Sequence, residues 1–345
     1  MHLAFLLPHT NISGGIRVSL TYARELQALG HTVSIMVLER NWKRRLLSRV
    51  LRRRIAWFPE LPKEVSLSFL SESAMENAIC RFTGDALIAD SWYMAGILSR
   101  AETTVKKFHL VQHDERLYHG DSDVVTEVYR QPLHKIVVAT WLKELFLREF
   151  NQESALIINS FDRDIFTPRI ERDIHHTTCR ILILDHSYAW KGTVEALTIV
   201  RTLKAKYPYI TIVGFGARNT GNKDAFDEYH YGKTGKELAR VYAESDIYLC
   251  ASWDEGFGLP SVEAMACGTA LVTYDNGGSR DFAFDARTAY VALYRNETDL
   301  ASKLERAVMN PEERMKIRAQ GTAFVMGLPT WAEQAKKFAQ TLEDA

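Results

Sequence analysis

The sequence predicts an α/β protein made of two Rossmann-like, doubly wound domains, and three observations predict it. The chain has 345 residues, more than one core usually organises, so two domains of roughly 150–180 residues are expected. Short apolar runs alternate with helical patterns, the punctuation of βαβ units and parallel sheets. That alternation stops once, in NSFDRDIFTPRIERDIHH, where charge and a proline replace hydrophobic periodicity.

The elements follow in order. LAFLL (3–7), TVSIMVL (32–38), VSLSF (65–69), ALIA (86–89), HLVQ (109–112) and IVVA (136–139) read as strands of a first sheet. After Pro168 the series resumes with RILIL (180–184), ITIVG (210–214), DIYLC (246–250) and ALVTY (270–274), the strands of a second. The interruption sets a boundary near residues 159 to 175, and the expected domains are 1–165 and 166–328. In 329–345, WAEQAKKFAQTLEDA reads as an amphipathic helix entered after Pro329, with Trp331, Ala335, Phe338 and Leu342 on one face. That face needs an apolar partner, and the first domain is the expected one.

Lys plus Arg and Asp plus Glu number 43 each, so no global field favours a nucleic acid or an acidic polymer as partner. Cys80, Cys179, Cys250 and Cys267 stand far apart without a CxxC pair, the pattern of reduced thiols rather than of disulfides or a zinc site. No apolar run reaches the ~18 residues of a membrane span, and MHLAFLLPHT lacks the charged start and cleavage site of a signal peptide. The expected location is the cytoplasm.

Four loops carry the candidate chemistry. In ASWDEGFGLPSVEAMACG, Gly256 and Gly258 permit unusual dihedrals and close backbone approach. A helix expected to begin near Ser261 aims unpaired N–H groups and its positive dipole end at that spot, a setting that suits a phosphate. Two readings fit Glu263, placed by this count in the first turn: a charge–dipole contact worth about 0.3–1 kcal/mol, or a ligand contact. Glu255 precedes the glycines in a loop where neither packing nor capping requires an acid. A carboxylate there accepts from two neighbouring hydroxyls, as ribose or hexose diols present them.

The second loop is the Gly14–Gly15 pair between LAFLL and the next helix, with Gly30 as that helix's expected C-cap. A double glycine is common in turns, yet its place before a helix start also suits an anion. In the third, LDHSYAWKGTVEAL, Lys191 reaches a helix start beside Gly192. The dipole disfavours a cation there, so the residue either meets an anionic ligand or lies solvated on the surface. The fourth is HLVQHDERLYH, where His113 and Asp114 follow a strand of the first domain. A lone histidine is either structural or turned to a cleft.

Together these loops resemble the retaining glycosyltransferases of family GT4, which have the two-domain GT-B fold, and the resemblance covers most of the chain. It is carried above all by an E-x7-E pattern inside EGFGLP-x-x-EAMA-x-G, intact from Glu255 to Gly268. Gly14 and Gly15, His113, TWLKE (140–144), NSFDRDIFTP (159–168), Lys191 with Gly192, and YGKTGKELARVYAESDIYL are similar to further landmarks of that family. The resemblance implies two Rossmann-like domains facing across a cleft, the first binding the acceptor and the second a nucleotide diphosphate sugar, with the last helix crossing back to the first. It implies roles by position. Glu263 would hold ribose hydroxyls, Lys191 and the Gly15 backbone the diphosphate, and Glu255 with Gly256, Phe257, Gly258 and Leu259 the donor and its sugar. His113 would sit at the sugar and the reaction centre. One departure stands out: the family has an arginine five residues before the lysine, and here that place is His186. The diphosphate charge would fall to Lys191 and helix starts, aided by Arg17 or a protonated His186. No metal and no cofactor are implied, and no DxD-like pair or histidine cluster sits in a suitable loop.

Residues 40–54, RNWKRRLLSRVLRRR, hold eight basic side chains and no acid, with apolar residues at helical spacing. Two readings are equal: an interfacial helix on an anionic membrane surface, each cation adding up to ~1 kcal/mol, or an apolar face packed on the first domain. The first would bring the protein to the cytoplasmic face of a membrane and a lipid-linked acceptor. The expected activity is transfer of a sugar to a hydroxyl of a glycan, a lipid-linked intermediate or a small molecule, with no nucleic-acid partner. A degenerate GT-B protein that binds without turnover is the alternative, motivated by His186. A nicotinamide oxidoreductase fits less well, because no GxGxxG follows the first strand.

Overall fold

A computed structural model describes residues 1–43, 45–46, 54–168, 178–217 and 220–345. The chain divides into two compact units, Met1–Asn159 with Trp331–Ala345, and Ser160–Thr330.

The first unit holds a seven-stranded sheet of β1 (His2–Leu7), β2 (Thr32–Leu38), β3 (Ser66–Leu70), β4 (Ala86–Ala89), β5 (Lys106–Val111), β6 (His134–Val137) and β7 (Ser154–Leu156). The order is β3-β2-β1-β4-β5-β6-β7, and every neighbouring pair is parallel. Leu3 to Leu7 of β1 are fully buried, which is why the run reads as continuous apolar sequence rather than as alternation. Helices α1 (Gly14–Ala28), α2 (Glu72–Cys80), α3 (Trp92–Arg100), α4 (Ser122–Arg130) and α5 (Thr140–Phe150) make the crossovers. Strand order reverses between β1 and β4, and ligands in such sheets bind beyond the carboxyl ends of the strands at that point.

The second unit repeats the plan with β8 (Cys179–Leu184), β9 (Ile210–Gly216), β10 (Glu228–Tyr231), β11 (Ile247–Cys250), β12 (Ala270–Tyr274) and β13 (Tyr290–Ala292), in the order β10-β9-β8-β11-β12-β13. All its pairs are parallel too. The helices are α6 (Thr193–Lys206), α7 (Gly235–Ala243), α8 (Leu259–Ala266), α9 (Glu297–Met309) and α10 (Pro311–Met326). Ile181, Ile183, Leu249 and Val272 pack with Val200 of α6 and Leu304 of α9 in its core. The reversal lies between β8 and β11, so the loops after these strands, which carry Lys191 and Glu255, meet at one point.

The ten apolar runs correspond to ten of these strands. Three edge strands escaped the sequence reading: β7, β10 and β13. They have only three or four residues, and EYHY of β10 has no apolar run to announce it.

The closing helix, α11 (Trp331–Asp344), packs on the first unit. The Tyr22 ring meets Trp331 edge-on at 5.3 Å and Phe338 at 4.6 Å, and Phe338 also meets Phe5 of β1 at 6.1 Å. Gln334 donates to the Ile158 carbonyl at 2.6 Å. Lys106 Nζ donates to the carbonyls of Leu342 and Glu343 at 3.1 and 2.8 Å, satisfying groups that a helix end leaves open.

Arg44 and residues 47–53 of the basic stretch lie outside the described residues, and the reading of 40–54 as a membrane-facing helix lies there with them. Trp42 and Leu46 at its start are exposed. Among the described residues no helix is long and apolar enough to cross a membrane.

Candidate active site

In the second unit, β11 runs into the acidic loop, whose backbone is held by the loop after β12. Glu255 N–H donates to the Asn276 carbonyl at 2.9 Å, and Gly278 N–H donates to the Glu255 carbonyl at 3.0 Å. A Cβ on Gly278 would stand 2.8 Å from both Glu255 O and Phe257 C, so only glycine fits. Asn276 is buried, its Oδ1 accepting from Ser279 N–H at 3.0 Å and its Nδ2 donating to Thr273 Oγ1 at 3.3 Å. The sequence reading overlooked Asn276 to Ser279, although NGGS after a strand is the same kind of signal as Gly14–Gly15.

Lys191 ends a short 3-10 turn, Ala189–Lys191, and Gly192 follows with φ 67°. A Cβ on Gly192 would lie 2.1 Å from Ala251 O, which presses the lysine's turn against the end of β11. Lys191 Nζ then reaches Glu255 Oε1 at 2.6 Å, a charge-assisted contact between partly buried groups. The cation that required an anion by the dipole argument finds that anion here in Glu255.

Glu263 is 5% exposed and Glu255 9%. Helix α8 begins at Leu259, two residues earlier than expected, because Pro260 is tolerated in a first turn. Glu263 therefore falls in the second turn, not the first. The charge–dipole reading loses its basis, since the effect fades beyond the first turn. The Tyr242 hydroxyl donates to Glu263 Oε2 at 3.4 Å. Both acids act on the end of β11: burial raises the Tyr248 hydroxyl well above its ordinary range, and the charges of Cys250, Glu255 and Glu263 raise it further. Burial likewise raises the Cys250 thiol, with Glu255 adding and Lys191 opposing. Gly258, with φ 93°, opens α8 without a side-chain cap, and Phe257 is buried against Phe282.

His186 accepts at Nδ1 from Tyr188 N–H at 3.1 Å. Its ring lies 4.6 Å from that of Tyr188, which stacks on Trp190 at 4.2 Å.

In the first unit, Ser13 caps α1, accepting from Ile16 N–H at 3.3 Å, and Gly14 and Gly15 form its first turn. Neither glycine has a positive φ. A Cβ on Gly14 would meet nothing within 4 Å, and one on Gly15 would sit 3.3 Å from Gln112 Nε2. Gln112 donates to Gly15 O at 3.1 Å and to Asp90 Oδ1, which also accepts from Ser19 Oγ at 2.8 Å. Asp90, unremarked in the sequence, thus ties the glycine turn to the ends of β4 and β5. Burial pushes its carboxyl up to about 8, against the pull of Ser19 and Gln112.

His113 Nδ1–H donates to the Asp114 carbonyl at 3.0 Å. Its Nε2 is buried and without a hydrogen-bond partner. The Asp114 carboxylate is engaged by Arg116 at 2.8 and 2.9 Å. Among the described residues no group of three or more His, Cys, Asp or Glu side chains has the geometry of a metal site.

Residues 171–324 match the family model described as "Glycosyl transferases group 1". A D-inositol 3-phosphate glycosyltransferase of Stackebrandtia nassauensis is 31% identical over 113 residues, 33% of this chain and 25% of that protein. Matches to two further D-inositol 3-phosphate glycosyltransferases span 19% and 20% of their lengths, so the chain aligns with a quarter or less of these curated relatives. Among solved structures, Anabaena Alr3699/HepE in complex with UDP and glucose superposes with a TM-score of 0.79 at 13% identity, covering 100% of both chains. A sucrose-phosphate synthase from Thermosynechococcus elongatus superposes with a TM-score of 0.78 at 15% identity, covering 100% of this chain and 99% of that one. At these identities the likeness speaks for the fold. The chain has the GT-B fold of two Rossmann-like parallel-sheet domains, and its residues 171–324 are similar to the group 1 glycosyl transferases.

Proposed function

We propose that this protein is a retaining, metal-independent glycosyltransferase that moves a sugar from a nucleotide diphosphate sugar to a hydroxyl of a glycan, lipid-linked or small-molecule acceptor. One observation carries the reading: Lys191 and Glu255 meet at 2.6 Å at the β8/β11 reversal, beside the uncapped start of α8 and the buried Glu263. A diphosphate entering there competes with Glu255 for Lys191 and meets the positive end of the α8 dipole. Glu255, released, accepts hydrogen bonds from hydroxyls of the transferred sugar, and Glu263 from those of the ribose.

In the reaction, the bond from the anomeric carbon to the diphosphate oxygen breaks, and its electron pair leaves with the phosphate. The acceptor oxygen bonds to that carbon on the same face, and its proton passes to the departing phosphate oxygen. Negative charge grows on the leaving group, where Lys191 and the α8 start stabilise it more than they stabilise the bound donor. On this reading neither glutamate forms a covalent bond, and the cation and helix start take the part of a metal. The Anabaena neighbour holds UDP and glucose, which makes UDP-glucose the first donor to try. A peripheral place on a membrane through residues 40–54 belongs to the same reading, and co-sedimentation with anionic vesicles tests it.

The test of the activity is nucleotide release from a panel of UDP- and GDP-sugars. Release by the wild type, lost in both K191A and E255A at unchanged melting temperature, is the expected result. Saturable donor binding with no release would favour the alternative, a protein that binds without turnover.

A further inference from the structure

The Lys191–Glu255 contact joins two loops, and the structure shows what holds them in register. Trp253, two residues before Glu255, donates its backbone N–H to the Trp190 carbonyl at 2.8 Å, beside Lys191. Its indole Nε1–H donates to Glu195 Oε2 at 3.0 Å, and Tyr274 of β12 donates its hydroxyl to the other oxygen of that carboxylate. Glu195 stands in the first turn of α6, the helix that starts immediately after Lys191 and Gly192. A carboxylate at a helix start is favoured by the dipole and here has two donors, so it is a firm anchor.

A face of the indole is covered as well. The Arg295 guanidinium lies 4.1 Å from the Trp253 ring centroid, a close cation–π contact. Arg295 holds φ 52°, a left-handed conformation that a side chain adopts only when its surroundings compel it. The neighbouring Tyr294 donates its hydroxyl to Asp254 at 3.3 Å. The turn after β13 is thereby laid over the residues that lead into Glu255.

We propose that Trp253 is a positioning residue: held by Glu195 and Arg295, it keeps the loop of Lys191 and the loop of Glu255 in place against one another, and so sets where Lys191 meets the donor's diphosphate and where Glu255 meets its sugar. The inference rests on the assignment of Lys191 and Glu255 above. Trp253 acts through them and touches no substrate. Positioning of this kind is costly to lose, because displacements near 1 Å reduce rates by about a hundredfold.

The test uses the full-length protein and titrates UDP, GDP and ADP by calorimetry, followed by turnover with the sugar donor of whichever nucleotide binds. W253F keeps a ring for Arg295 but removes the donor to Glu195, and E195A removes the acceptor. Each is expected to weaken diphosphate binding about tenfold and to lower kcat, with the double variant no worse than E195A alone, since E195A already removes the contact that W253F breaks. E195Q, whose amide oxygen still accepts, is expected to behave nearly as wild type. Should W253F misfold on thermal melting, E195A against E195Q carries the comparison alone. K191A separates the two levels of argument. Wild-type affinity in K191A, or no nucleotide bound by the wild type, overturns the site assignment and this inference with it. Weakened binding in K191A beside wild-type affinity and rate in W253F and E195A overturns the positioning role alone.

Discussion

Lys191 is neutralised by Glu255 at 2.6 Å, and that contact sets opposite signs for two measurements on one variant. Glu255→Gln keeps the shape but removes the charge that competes with a diphosphate for the lysine. UDP affinity is therefore expected to rise severalfold, while transfer falls at least tenfold because the sugar hydroxyls lose their charged acceptor. Equal losses in both would refute the competition. In the first unit, Asp90 is held near 8 by burial, above its ordinary 3.8. Between those values the unfolded chain has released a proton that the folded chain retains. The contribution of Asp90 to stability is thus full below about pH 4 and is lost as the pH rises toward 8, by up to ~1.4 kcal/mol per unit. Glu115, also raised to about 8 by burial, follows the same sign, so D90N is expected to flatten the decline in melting temperature between pH 5 and 8 without abolishing it. An unchanged slope in D90N would show that Asp90 does not carry it. The sequence could locate Lys191 and Glu255, because each stands beside glycines at a strand's carboxyl end. That they touch could not be read from it: the contact depends on strand order, which brings residues 64 positions apart to one reversal point.

At the scale of elements, glycines that look alike in sequence separate by geometry. Gly192 is forced, by φ 67° and by Ala251 O at 2.1 Å from its missing Cβ, whereas Gly14 has ordinary dihedrals and open space around it. G192A must push the turn of Lys191 off the end of β11, with an expected loss of about 1–3 kcal/mol and of nucleotide binding. G14A leaves the fold intact by the same reasoning. A drop in donor affinity without a change in melting temperature would then show that a ligand approaches the backbone there, and unchanged affinity would dismiss Gly14 from the site. Elements were legible where burial writes a run: Leu3 to Leu7 of β1 and all of β11 are buried, consecutive apolar residues. The edge strands β7, β10 and β13 draw part of their definition from a neighbour's hydrogen bonds, which leave no mark on their own residues. The start of α8 was missed because a proline suits a first turn as well as it suits the loop before it.

At the scale of the whole molecule, the chain's last helix is spent on its first unit. Trp331, Ala335, Phe338 and Leu342 were expected on one face, and Ala335, Phe338 and Leu342 are buried, with the Phe338 ring set between Tyr22 of α1 and Phe5 of β1. The Tyr22 hydroxyl, raised far above its usual range by burial, sits in the same layer. Phe338→Ala removes a fully buried ring from a layer of aromatic side chains that cannot collapse to fill the space, and such changes cost about 3–5 kcal/mol. Because Phe338 packs on α1 and β1, the loss falls on the first unit. Amides of β1 and β4 are expected to exchange with solvent much faster in F338A, and those of β8 and β11, which belong to a separate core, to keep their protection. Hydrogen exchange read by mass spectrometry distinguishes the outcomes. Equal acceleration in both sheets would mean that the two cores unfold as one cooperative body, so that residues 331–345 support the diphosphate grip of the second unit as much as the glycine turn of the first.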